Sequence, residues 1–290
     1  MDVKILDKEY IGGILKPRAR DCNKGDFGRL LCVVSCKNMP GAAAICARSA
    51  LVSGVGICTV ASTDGGLFSV RATLPEAVTF SLKANRSGAI SRKSASTALC
   101  EADKCSAMLL GCGLSACKDT EAFVRKILKH AHLPIILDAD GINIAARGID
   151  ILKSSNAPLI LTPHIKEMSR LSGLPIEEIK QNPVKVAAEF ASAQGVTVIL
   201  KDFETVIATP SGEIAKNVGG HPCMAKGGSG DMLAGMVASF TAQGYTPFDA
   251  ACMAVYMHAT AGELCGKQKG DHSVLTSDMI ARLSEVFCSF

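Results

Sequence analysis

The sequence predicts an α/β protein whose central sheet is mostly parallel and covered by helices on both faces. Short continuous apolar runs recur along the 290 residues and alternate with longer stretches of helical period. Most of those runs end in glycine or polar residues, the composition of a strand turning into a helix. Apolar residues make up 48% of the chain, with 27 glycines, which suits a large core joined by many tight connections.

The elements follow in order. RLLCVVS (29–35) is a compact strand-length run. PGAAAICARSALVSG (40–54) is alanine-rich, opened by proline and closed by glycine, as a helix should be. GICTVAS (56–62) and EAVTFSL (76–82) carry the β-branched and aromatic residues of strands. SAMLLGCGL (106–114) is another run, ended by glycines and followed by a helical pattern near 118–131. PIILDADG (134–141) and APLILTPH (157–164) repeat that theme, each before a further helical pattern. GVTVILK (195–201) and ETVIATP (204–210) read as a strand and its hairpin partner. Helical stretches near 229–243, 248–265 and 276–287 close the chain. There is no internal repeat, linker or shift of composition, so a single domain over 1–290 is expected. In such folds ligands gather at the carboxyl ends of the strands, where Asp138, Asp140, His164, Glu167 and Lys201 fall.

Composition excludes several classes. Aromatic residues are 4% of the chain, tryptophan is absent, and the net charge of +4 comes from scattered residues, which argues against a nucleic-acid partner. The 13 cysteines contain no C-x-x-C pair and sit mostly among apolar neighbours, so they read as reduced core residues of a cytoplasmic protein. The charged start MDVKILDKEY is not a secretory leader. No uncharged apolar run reaches the ~18 residues of a membrane span.

The sharpest motif is MAKGGSGDMLAGM (224–236). A helix N-terminus carries unpaired N–H groups and partial positive charge, and glycines let it approach a phosphate closely. Asp231 at that start is either a cap or a general base beside the phosphate. In MPGAAA, the small residues after Gly41 suit close helix–sheet packing and a flat-lying ligand equally. LLGCGLS puts Gly111 and Gly113 at a strand end. LDADGIN places Asp138 and Asp140 two apart, on one side of a continuing strand. One of Asp138 and Asp140 is a candidate for organising hydrated Mg²⁺, with a pair of helix caps as the alternative, and Asp140 with Glu167 is the expected ligand set. In LTPHIKEMSRL, Pro163 suits a first helical turn capped by Thr162, with His164 and Glu167 neighbours on one face. In VILKDFETVI, Lys201 either reaches a phosphate while the turn holds adenine or ribose, or is a solvated hairpin lysine.

In this order, with NKGDFGRLLCV at the start, the motifs resemble the NAD(P)H-hydrate dehydratases, from about residue 10 to the C-terminus. The resemblance implies a ribokinase-like three-layer α/β/α sandwich. It also implies removal of water from the (6S) hydrate of NADH or NADPH, coupled to hydrolysis of ADP to AMP and phosphate, or of ATP to ADP, with Mg²⁺. Carried over by motif, the hydrate contacts Ala42 or Ala43, Gly113, His164 and Asp231. The adenine nucleotide lies on Lys201, Asp202, Phe203, Glu204, Thr205 and Gly230. Asp231 is the base, and the amides of Gly228, Ser229 and Gly230 hold the charge of the transferring phosphoryl. Asn23, Asp202, His221 and Lys226 depart from the family's usual His, Gly, Asn and Thr or Ser. The epimerase domain often fused upstream is not expected here. A homo-oligomer is expected, with a tetramer favoured; the apolar stretch 248–265 suits a subunit contact or core. A small-molecule kinase and a non-catalytic nucleotide sensor are the alternatives.

Overall fold

Continuous apolar runs need burial on both faces, and a single central sheet supplies it. The computed structural model describes residues 2–290. Ten strands are formed: β1 (Lys4–Ile5), β2 (Arg29–Val33), β3 (Ile57–Ser62), β4 (Val78–Ser81), β5 (Ala107–Leu110), β6 (Ile135–Leu137), β7 (Leu159–Leu161), β8 (Thr197–Leu200), β9 (Thr205–Ala208) and β10 (Ile214–Asn217). They lie in the order β1-β10-β9-β8-β7-β6-β5-β2-β3-β4. Only β9 runs antiparallel to its neighbours, pairing so with β8 and β10. The chain leaves β2 toward β3 and β4, then returns to place β5 on the other side of β2. That reversal opens a crevice at the carboxyl ends of β2 and β5, where such sheets bind ligands.

Alternate residues of each strand enter different cores. Leu30 and Cys32 of β2 join one cluster, Leu31 and Val33 the other. The first is covered by the helices Pro40–Val52, Ser229–Ala242, Pro247–Lys269 and Thr276–Cys288. The second is covered chiefly by the helices Lys118–His130 and Pro183–Gln194. The apolar stretch 248–265 is core: Ala250, Cys252, Met253 and Met257 are wholly buried. Eight of the free cysteines are buried as well, acting as small hydrophobes. None of the helices among the described residues is long and apolar enough to cross a membrane.

The Ser229–Ala242 helix lies across β2, β5 and β6 and against the Pro40–Val52 helix. Its far end is pinned by the NKGDFG motif, since a Cβ on Gly28 (φ 71°) would collide with the Ala242 carbonyl. Asn23 caps that turn, accepting from the Gly25 amide at 2.8 Å and donating to Asp26. Along the helix, Gly235 lets the backbones close up, because a Cβ there would strike Ser49 Oγ and the Cys46 carbonyl. Gly235→Ala is therefore expected to destabilise the protein by about 1–3 kcal/mol through overpacking, measured as a lower denaturant midpoint at unchanged m.

Candidate active site

Three residues other than glycine hold positive φ, each just past a central strand: Ser35 (67°) after β2, Ser115 (68°) after β5 and Ala139 (48°) after β6. Such strain persists only where surrounding bonds over-determine it, and it gathers at functional sites. Here Ser35 donates its amide to the Cys112 carbonyl at 2.7 Å and accepts from the Ala43 amide at 2.7 Å. Ser115 donates its amide to Asp140 Oδ2 at 2.8 Å. The result brings the predicted hydrate contacts together: a Cβ on Gly113 would lie 3.1 Å from Ala42 Cβ. It also separates Asp138 from Asp140. The strand does not continue past Leu137, and the turn at Ala139 sends the two carboxylates to different partners.

Asp231 does not cap its helix. Gly228, at φ 92°, is the N-cap, and no side chain bonds the first turn. That positive φ favours glycine, and a Cβ there would also push Ile45 Cδ1, 2.6 Å away, aside. The Ser229 amide donates to the Lys226 carbonyl at 3.3 Å, and the Gly230 amide is left for a ligand, in a field suited to phosphate. Burial pushes the Asp231 carboxyl up to about 6, helped by the Asp138 charge, while a Cys112 hydrogen bond and Lys201 pull the other way. It is thereby matched to accepting a proton near neutral pH.

Beside it, Lys201 Nζ donates to Asp138 Oδ1 at 2.9 Å. Thr162 Oγ1 donates to the same oxygen at 2.5 Å, and the Cys112 thiol donates to Oδ2 at 3.3 Å. Asp138 is 2% exposed. Burial disfavours the Lys201 charge, but Asp138 and Glu167 outweigh it and keep the ammonium protonated. Lys201 is thus an ion-paired group, not a solvated hairpin lysine, and its Nζ would lie 3.3 Å from a Cβ on Gly230.

The TPH segment differs from expectation. The helix starts at Ile165, and His164 is its cap: Nδ1 accepts from the Glu167 amide at 3.2 Å while Glu167 Oε2 accepts from the His164 amide at 2.9 Å. Thr162 is drawn away by Asp138, which is why it does not cap. Burial, then the nearby Lys201 and Arg170, lowers the His164 pKa and leaves its ring neutral. Glu167 is spent on this box and Asp140 on Ser115, so both act through backbone amides.

A cavity of about 940 Å³ opens from the same helix mouth. His164, Lys201, Asp202, Phe203, Thr205, Ser229 and Gly230 line it. Glu204 does not; it pairs with Lys216. Ala42, Ala43, Gly113, Gly228 and Asp231 lie outside its lining. Lys226 lines the cavity with its amine held by the His272 carbonyl at 2.7 Å, and His221 lies 3.6 Å from Asp271. Asp202 accepts from the Phe203 amide at 2.9 Å, which shapes the turn locally. Sequence reasoning missed Leu233, Val255 and Met224, the apolar wall, and His258, whose Nε2 is 3.2 Å from Ser229 Oγ. Burial pushes His258 down to about 4. The one available signal was a lone histidine within an otherwise apolar helix.

Fold and site together define a ribokinase-like protein with a nucleotide-sized cavity beside a buried carboxylate. The chain belongs to the NAD(P)H-hydrate dehydratase family, whose pattern matches residues 30–285. It is similar to the ADP-dependent (S)-NAD(P)H-hydrate dehydratase of Bacillus subtilis, at 30% identity with 100% of each chain covered. A crystal structure of the ADP/ATP-dependent NAD(P)H-hydrate dehydratase from that organism, co-crystallised with ATP/Mg²⁺, aligns with a TM-score of 0.86 at 29% identity, covering 100% of this chain and 99% of that one. The bifunctional NAD(P)H-hydrate repair enzyme of Moorella thermoacetica matches at 33% identity over 96% of this chain. The chain spans about half the length of that relative, 52%.

Proposed function

We propose that this chain dehydrates the (6S) hydrate of NADH or NADPH, using ADP or ATP as phosphoryl donor. The observation that carries the reading is Asp231, half-buried, uncapping and raised to about 6, beside the open amide of Gly230 at the mouth of the cavity. Hydroxide leaves poorly, so the added hydroxyl is first phosphorylated. Its oxygen attacks the terminal phosphorus as Asp231 takes its proton; the bridging P–O bond breaks and AMP or ADP departs. The Gly228, Ser229 and Gly230 amides hold the charge on the moving group. Phosphate then leaves, pushed by the ring-nitrogen lone pair, and loss of a proton from the adjacent carbon restores the ring double bond.

Magnesium does not find a protein cage here. Asp140 and Glu167 are engaged by amides, Asp138 by Lys201, and the donors nearest Asp231 are thiols, too soft for this ion. On this reading Mg²⁺ arrives on the nucleotide's own phosphates.

The same reading takes residues 1–290 as one domain in the cytoplasm, consistent with its free thiols, and as a homo-oligomer, a tetramer, with small molecules and neither nucleic acid nor membrane as partners. Sedimentation of the purified chain checks the assembly.

Incubation with hydrated NADH or NADPH, Mg²⁺ and either ADP or ATP should restore the absorbance of reduced nicotinamide. No recovery with either nucleotide sinks the reading, and a stable phosphorylated product would identify a kinase instead. The base must be ionised, so kcat/KM should fall about tenfold per pH unit below about 6. A profile flat to pH 5 would remove Asp231 from that role.

A further inference from the structure

Behind Asp231 lies a donor set that dehydration leaves unused. Cys46, from the Pro40–Val52 helix, and Cys112, from the loop after β5, present their sulfur atoms to each other and to the Asp231 carboxylate, all within 4.8 Å of one another. Both cysteines are free and wholly buried, and Asp231 is partly exposed. We propose that Cys46, Cys112 and Asp231 form a binding site for a thiophilic divalent cation, zinc or cadmium, whose occupancy withdraws Asp231 from the substrate hydroxyl.

A tetrahedral ion holds thiolate sulfur at ~2.3 Å and carboxylate oxygen at ~2.0–2.2 Å, which sets donors roughly 3.5–3.8 Å apart. The three atoms need to close by only about 1 Å. The fourth position is left for water. Two thiolates and one carboxylate select zinc or cadmium over magnesium, so millimolar Mg²⁺ does not compete. Cys112 also donates to Asp138 at 3.3 Å, and on binding that contact is given up as the thiol proton leaves. A second thiol pair, Cys32 and Cys58, with sulfurs 3.8 Å apart, has no carboxylate with it and serves as control.

The inhibitory half of the proposal rests on Asp231 being the base; the binding half does not. Cobalt(II) is the probe, titrated into the reduced full chain in millimolar Mg²⁺. The expected result is one equivalent with intense tetrahedral visible bands and a sulfur-to-cobalt charge-transfer band, displaced by zinc. Cys46→Ala and Cys112→Ala should each abolish the charge-transfer band, and Asp231→Asn should weaken binding by at least about 10–100-fold. Cys58→Ala should retain the spectrum. Bands that persist in the Cys46→Ala variant, bands lost in Cys58→Ala, or octahedral cobalt throughout would overturn the proposal. Circular dichroism checks each fold, and if Cys112→Ala fails to fold, Cys46→Ala with Asp231→Asn decides the matter. Zinc should also arrest nicotinamide recovery. If recovery is absent without zinc, the functional reading fails while the cobalt result still stands.

Discussion

Asp231→Asn is expected to lower turnover by about 10²–10⁴-fold while nucleotide binding is kept, because the amide has the same shape but takes no proton. The same change should stabilise the fold. Folded Asp231 holds its proton up to about pH 6, whereas the unfolded chain releases it near 3.8. The folded state binds more protons between those values, so stability falls as pH rises through the window. Above pH 6 the buried charge costs its full amount, and Asn removes it: a gain of about 1–3 kcal/mol at pH 8, vanishing near pH 4. Urea unfolding of both proteins at the two pH values measures it. An equal or lower stability of the variant at pH 8 would mean that the carboxylate is well solvated after all.

Asp138→Ala is expected to cost about 3–5 kcal/mol, because it leaves the Lys201 ammonium without its 2.9 Å partner in a nearly closed site. The Thr162 hydroxyl and Cys112 thiol lose their acceptor too. Asp138→Ala combined with Lys201→Met should recover most of that loss, since the pair together is worth far less than either partner alone. In a folded Asp138→Asn variant, the lower limb of the pH profile should move to lower pH, because the Asp138 charge helps raise Asp231. Chemical denaturation of the single and double variants tests the first claim and the kinetic profile the second. Additive losses would show that the two side chains are not coupled.

Much of this was legible in the sequence. Strands β2, β3 and β5 to β9 are unbroken or nearly unbroken apolar runs, and burial on both faces demands them, whereas the edge strand β4 is at most half-buried. The long closing helices and the placement of His164 and Lys201 at strand ends also came through. Other features left little local trace. β1 has two exposed residues, and β10 mixes Ile, Ala, Lys and Asn. The Asp64–Thr73 helix opens on Gly65 and Gly66, poor helix formers that leave no helical signal. Gly66 is needed because a Cβ there would meet Ser62 Oγ, four residues earlier, and would lie 3.3 Å from the Cys36 Cα of a distant segment. Within the site, the capping roles of His164 and Glu167 depended on where Thr162 was drawn, and that was decided by Asp138, 24 residues earlier. The meeting of Cys46, Cys112 and Asp231 joins three distant segments, and no spacing rule anticipates it.

The pairing of β1 with β10 sets a clock on synthesis. Lys4 aligns with Ala215, about 210 residues further on. At ~5–20 residues per second the nascent amino-terminal strand waits on the order of 10–40 s before its neighbour emerges. The central strands β2 to β9 emerge in that interval, so the β1–β10 seam closes after them and before the helices from Ser229 onward arrive to cover one face of the sheet.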